Sequence, residues 1–77
     1  MRVTLDNGTV WELSEESAVE VVNYPDRETP KEGWRRVREY PPLFIRTTNF
    51  PARILSKGMR VIGDGGGVVK VESIDDD

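Results

Sequence analysis

Cysteine and histidine are both absent from this 77-residue chain. Without cysteine, the chain can form neither a disulfide nor a thiolate metal site. Without histidine, it lacks the commonest general base and the commonest metal ligand. Carboxylates are the only metal ligands left, and they favour calcium or magnesium. We therefore expect no cofactor and no bound transition metal.

Long hydrophobic runs are also missing. No apolar stretch approaches the ~20 residues of a membrane-spanning helix. The N-terminus, Met1 to Asp6, lacks the apolar segment of a signal peptide. These features and the absence of cysteine predict no membrane partner and a cytoplasmic location, in the host cytoplasm if the protein is phage-encoded. The length predicts a single small domain over residues 1–77 with a thin stability margin.

Charge is divided into three blocks along the chain. Residues 1–33 carry eight acidic and three basic residues, residues 34–63 carry seven basic and one acidic, and residues 64–77 carry five acidic and one basic. The basic block also holds four of the six aromatic residues. Such blocks either pair with each other in the folded chain or face different partners, and matching across adjacent strands is the favoured interpretation.

The first third predicts a β-hairpin followed by a helix. Asn7-Gly8 lies between the alternating segments 3–5 and 10–13, which is typical of a type I′ hairpin turn. Ser14 is a natural N-cap ahead of two glutamates, so a helix to about Asn23 is favoured. A strand over 19–24 is the alternative, because three valines lie within five residues. Residues 25–33, with two prolines and a glycine, are expected to form a flexible loop.

The remaining chain is rich in predicted strands. Residues 34–40 and 43–48 read as two strands separated by Pro41-Pro42, with a turn at 49–51. Residues 59–62 and 68–74 flank a glycine-loaded turn and predict a second hairpin. Residues 75–77 are expected to be a disordered acidic tail. The expected core comprises Val3, Leu5, Trp11, Leu13, Val22, Val37, Ile45, Val61, Val69 and Val71.

The second hairpin carries a resemblance to a known fold. Residues 55–74 combine a glycine, a short apolar strand, a glycine-rich turn and a valine-rich return strand. This pattern resembles the KOW-type hairpin of SH3-like small β-barrels. The fold prediction is mainly β with α+β character, as a small SH3-like partly open barrel or a curled antiparallel sheet of five or six strands with one short helix. Hairpins of intein-like folds are similar, but their catalytic cysteine and histidine are absent.

The basic, aromatic middle of the chain is the candidate binding region. Its cations and rings are the residue types that anchor protein interfaces, and they also suit single-stranded nucleic acid, where bases stack on rings beside cations. The alternative is that the rings are core and the arginines pair with the flanking acids. The candidate site residues are Trp34, Arg35, Arg36, Arg38, Tyr40, Arg46 and Arg53.

The functional prediction is a non-enzymatic protein–protein interaction module. No acid pair has a companion nucleophile or oriented base, so an enzyme is not expected. The size and the absence of cysteine resemble small phage or mobile-element accessory and inhibitor proteins. The expected partner is a protein with an acidic surface, and self-association by edge-strand pairing would give a homodimer. The alternative is a nucleic-acid-binding barrel using the same surface, against which the acidic pI of 4.9 argues.

Overall fold

A computed structural model describes residues 1–27 and 32–75, with side chains described for 1–23 and 32–75. Seven antiparallel strands and one 3-10 turn form in these residues. The elements are β1 (Arg2–Leu5), β2 (Val10–Glu12), β3 (Ala18–Arg27), β4 (Arg35–Arg38), β5 (Leu43–Pro51), the 3-10 turn Ala52–Ile54, β6 (Arg60–Ile62) and β7 (Val68–Asp75).

The strands form one curled sheet in the order β2-β1-β7-β6-β3-β5-β4. The sheet is open like half a barrel, which confirms the prediction of a mainly β, curled antiparallel fold. β7 links its two parts, because its first half pairs with β6 and its second half with β1. The radius of gyration is 13.0 Å, above the roughly 11–12 Å expected for a compact chain of this length. The molecule is therefore elongated, with a strand edge at each end.

The predicted helix after Ser14 is wrong. Ser14 closes a turn instead, since its backbone N–H donates to Ser17 Oγ at 3.0 Å. The chain then enters β3, which pairs with β5 on one side and with β6 on the other. β5 pairs with most of β3 and β6 pairs with it at Val21, and the β-branched valines suit a strand better than a helix. The strand alternative was therefore the correct one.

Other predicted boundaries also change. β3 continues to Arg27, so the first three positions of the predicted loop 25–33 belong to a strand, and residues 28–31 lie outside the described part. The predicted turn at 49–51 is the end of β5, where Pro51 lies opposite Ala18. Asp75 of the predicted tail belongs to β7, and residues 76–77 are not described. The predicted strand 34–40 is shorter, at 35–38.

The core lies between the two parts of the sheet. Of the ten predicted core residues six are buried, while Trp11, Leu13, Val37 and Val69 are half-buried. The main cluster is Val3, Leu5, Val19, Val21, Ala52, Leu55, Val61 and Val71. Val22 and Ile45 are buried outside this cluster. Because Val21 and Val22 are consecutive in β3 and point to opposite faces, both faces of the sheet are covered at this point.

Two hairpins use the same three-residue loop. In the first hairpin, Leu5 N–H donates to Thr9 O and Gly8 N–H donates to Leu5 O. In the second hairpin, Gly63 N–H donates to Gly67 O and Gly66 N–H donates to Gly63 O. Gly8 has φ +90° and Gly66 has φ +86°. Both hairpins are confirmed, but the type I′ assignment at Asn7-Gly8 is wrong, because no residue other than glycine has a positive φ among the described residues. A type I turn followed by a left-handed glycine accounts for both loops.

The glycine-rich turn gives a matched test of this geometry. We expect Gly66→Ala to lower the free energy of unfolding by about 1–2 kcal/mol, because a left-handed conformation is unfavourable for a residue with a Cβ. Gly65→Ala should cost little or stabilise by up to about 1 kcal/mol, since its φ is not positive. Urea denaturation of both variants measures this difference. Equal midpoints for the two would contradict the assigned loop.

Candidate functional site

The predicted binding residues 34–46 lie at one end of the sheet, on β4, β5 and the turn that joins them. β4 is the last strand in the sheet order, so among the described strands it pairs only with β5. Arg35 lies opposite Ile45, Arg36 opposite Phe44, and Arg38 opposite Leu43, with an irregularity between Arg36 and Arg38. Since opposite residues share a face and neighbours alternate, Arg35 and Arg36 point to different faces of the sheet.

Arg35 takes part in a network of side chains that joins neighbouring strands, although its own side chain is 47% exposed. Its Nη2 lies 3.0 Å from Glu20 Oε2. The same carboxylate oxygen accepts a hydrogen bond from Thr47 Oγ1 at 2.8 Å. This contact joins the basic block to the acidic N-terminal block and ties β3, β4 and β5 together. The structure therefore gives Arg35 a bridging contact between strands.

Arg53 lies away from the other candidates. It follows β5, roughly 20 Å along the strand from Arg46 at the usual rise per residue. Arg53 Nη1 pairs with Glu16 Oε1 at 2.5 Å, and its backbone N–H donates to Glu15 O at 3.0 Å. These contacts attach the 3-10 turn to the segment before β3. Arg53 therefore belongs to a second matched contact between the basic and acidic blocks.

Arg36, Phe44 and Arg46 share the other face, which we call the basic-aromatic face. Arg36 lies opposite Phe44, and Arg46 is two residues further along β5. Asn23 lies opposite Arg46, and its Nδ2 donates to Thr48 Oγ1 at 2.7 Å, consistent with this alternation. Arg46 is exposed and forms no ion pair with a described side chain. Phe44 is half-buried, so part of its ring surface remains accessible.

The turn at residues 39–42, which we call the hairpin tip, presents Tyr40. This side chain is 92% exposed, the most exposed of the large apolar residues in the described part. Arg36 Nη2 pairs with Glu39 Oε1 at 2.8 Å, and Arg38 Nε donates to Pro41 O at 3.2 Å. Two prolines follow Tyr40, and the Tyr40–Pro41 peptide bond is cis. The contacts of Arg36 and Arg38 connect the hairpin tip to β4, the strand that leads into it.

A groove of about 210 Å³ opens beside β4. Its lining is mostly aliphatic, with two arginines. The lining residues are Val22, Val37, Arg38, Leu43, Ile45, Arg60 and Val68. Arg38 is thus the predicted site residue that borders the groove, while Trp34, half-buried, precedes β4.

A second groove of about 420 Å³ lies between β2, the start of β3 and the glycine-rich turn. Trp11, Glu20 and Asp64 are among its lining residues, and Trp11 Nε1 donates to Asp64 Oδ1 at 3.2 Å. This bond connects β2 to the glycine-rich turn. The groove has acidic side chains and lacks the cations that the sequence singled out.

Neither a cluster of metal ligands nor a membrane-spanning helix is found in the described residues. No group of three or more acidic side chains in this part of the chain is placed to hold a metal ion. At Arg2, a hydrogen bond to Glu12 and the negative charge of Glu12 raise the pKa of the guanidinium. No helix in the described residues is long and apolar enough to cross a membrane.

The predicted site residues did not include Phe44, although it belongs to the basic, aromatic middle of the chain, and the groove was not predicted. One side of β5 carries an alternating series of residues that could have indicated this face: Phe44, Arg46, Thr48 and Phe50. The predicted turn at 49–51 ended the strand before Phe50, so the series was not recognised. The groove depends on the order of strands in the sheet, because Val68 belongs to β7 and Leu43 to β5. No local pattern in the sequence brings those two residues together.

Comparisons with known proteins find no match: no protein-family model fits the chain, and no curated protein or solved structure is significantly similar. The resemblance of residues 55–74 to a KOW-type hairpin therefore remains a prediction.

Proposed function

We propose that this protein is a non-enzymatic module that binds a partner protein through the hairpin tip and the basic-aromatic face. The observation that carries the proposal is Tyr40, an aromatic side chain that is 92% exposed on a turn held by two arginine contacts. Tyrosine and arginine are the residue types most often found at the energetic centres of protein interfaces. A turn whose backbone is already held by such contacts loses less conformational entropy on binding than a mobile turn would.

The charge on this end of the sheet specifies the partner. Arg46 has no ion pair with a described carboxylate, and the side chain of Arg36 is 55% exposed although it pairs with Glu39. An acidic partner surface would be attracted to these cations, which speeds encounter. The proposal includes the cytoplasmic setting and the phage-type accessory or inhibitor role. The absence of cysteine supports the cytoplasmic location. The small size and the absence of cysteine support the accessory or inhibitor role.

A single charge reversal tests the proposal with a matched control. The protein is immobilised, and partners are captured from an extract of its source organism at low and physiological salt. We expect Arg46→Glu to lose the partner that the wild type captures, because one attraction becomes a repulsion. Lys57→Glu makes the same charge change at an exposed residue on a different turn and should keep the partner.

Loss of the partner by both variants would show that net charge alone drives capture and would contradict the proposed face. Retention of the partner by both variants would show that Arg46 does not contribute to binding, and it would also contradict the proposed face. Captured proteins are identified by mass spectrometry and then purified for direct binding measurements.

Nucleic acid binding is the second candidate, favoured by Phe44 lying between two arginines on one face. A base could stack on the ring while the guanidinium groups contact phosphates. Its test is the binding of a mixed single-stranded oligonucleotide at low and high salt. Affinity that falls steeply with salt and is lost in Arg36→Ala with Arg46→Ala would favour this candidate, and absence of binding at low salt would remove it.

A further inference from the structure

We infer that β4 accepts an additional strand from the partner, one in which acidic and aliphatic residues alternate. This inference rests on the proposed function and specifies its binding mode. β4 ends the sheet, and among the described strands it pairs on one side only. An edge strand leaves backbone N–H and C=O groups directed outward, which can hydrogen-bond to a strand of another chain.

The two faces beside β4 differ in chemistry. On one face lies the aliphatic groove, which Val37 and Arg38 of β4 itself help to line. On the other face lie Arg36 and Arg46. Alternate side chains of a strand added to β4 would point to these two faces in turn. Aliphatic side chains would enter the groove, and carboxylates would meet the arginines.

The volume of the groove sets the size of the side chain that enters it. A groove of about 210 Å³ holds one or two side chains of the size of valine or isoleucine but not an extended peptide backbone. Val22 and Ile45, at 6% and 1% exposure, provide a closed apolar floor. Arg38 and Arg60 also border the groove, while the carboxylates of the added strand would point to the opposite face, where Arg36 and Arg46 lie.

A second copy of β4 is a poor occupant of this edge. Three of the four residues of β4 are arginines, so pairing it with itself would place like charges opposite one another, which destabilises a strand pair. Short length, cationic side chains and an irregular register are the features that protect edge strands from unspecific association. The same cations favour an acidic strand, so they select the partner as well as exclude copies.

A designed peptide tests this mode without any change to the protein. The probe is an eight-residue peptide alternating glutamate with valine or isoleucine, blocked at both ends and labelled for fluorescence anisotropy. We expect saturable binding by the wild type. A block peptide of the same composition, with all glutamates first, should bind at least about tenfold more weakly, because its side chains cannot match both faces.

Backbone N-methylation separates strand addition from contact through side chains alone. In an added strand, every second backbone amide faces β4. Methyl groups on these amides remove the hydrogen-bond donors that face β4, whereas methyl groups on the other amides leave those donors intact. We expect one methylated peptide to lose at least about tenfold in affinity, from one or two lost hydrogen bonds, and the other to bind like the parent.

Equal binding by both methylated peptides, or no binding by the parent, would overturn the inference. That result leaves the proposed function separately testable, because the capture experiment with Arg46→Glu does not depend on strand pairing. A second test changes the protein instead of the peptide: Val37→Asp places a carboxylate at the groove. It should weaken the alternating peptide at least tenfold, and circular dichroism confirms that the variant is folded.

Discussion

Leu5→Ala should lower the free energy of unfolding by about 3 kcal/mol, a large share of the roughly 4–12 kcal/mol expected for a chain of this length. Leu5 is fully buried in the main cluster and is the largest of its fully buried side chains. The truncation removes apolar contacts and leaves a cavity between the two parts of the sheet. A chain of this length has no second core of similar size to compensate. Guanidinium chloride denaturation followed by circular dichroism measures the change.

Val10→Ala is the matched control for Leu5→Ala. Val10 belongs to the neighbouring strand β2 and is 49% exposed. Its truncation should change the free energy of unfolding by no more than about 0.5 kcal/mol. If the two variants lost equal stability, the position of the core between β1 and the rest of the sheet would be wrong.

Tyr40→Ala should weaken binding to the purified partner by about thirtyfold or more, which corresponds to the roughly 2 kcal/mol typical of an interface hot spot. The ring is 92% exposed in the free protein, so its removal should hardly change the stability of the fold. Isothermal titration calorimetry gives the affinity, and thermal denaturation shows that the variant is folded. Loss of binding without loss of stability is the result that separates a contact residue from a structural one.

Tyr40→Phe refines the interpretation of this result. It keeps the ring and removes the hydroxyl, so affinity close to wild type would assign the contribution to apolar contact. A drop similar to that of Tyr40→Ala would assign it to a hydrogen bond from the hydroxyl. Wild-type affinity for Tyr40→Ala would remove the hairpin tip from the proposed interface.

The sequence predicted the fold class because its local signals are strong. Alternating apolar residues and two glycine-containing turns indicated both hairpins, and the valine-rich segments had the right composition for strands. The helix prediction failed at Ser14 because local capping chemistry suggested a helix start. Pairing of β3 with β5 and β6 decides the outcome instead, and that pairing joins residues 17 to 40 positions apart, which no local pattern contains.

The candidate site was predicted in part. The sequence showed that the cations and rings are concentrated in one stretch but could not tell which of the cations pair with acidic side chains of the same chain. Arg35 and Arg53 bind Glu20 and Glu16, as the favoured interpretation of matched charge blocks expected. Arg46 remains outside such pairs among the described side chains. The distinction depends on strand register, because neighbouring residues of β4 point to opposite faces.

Chemical-shift mapping tests the proposed interface most directly. The ¹⁵N-labelled protein is titrated with the purified partner, and amide shifts are followed for every assigned residue. If the partner binds at the hairpin tip and the basic-aromatic face, the largest shifts occur over residues 35–46, with little change in β1, β2 and the glycine-rich turn. Shifts concentrated around Trp11 and Asp64, with residues 35–46 unchanged, would place binding at the other groove and contradict the account.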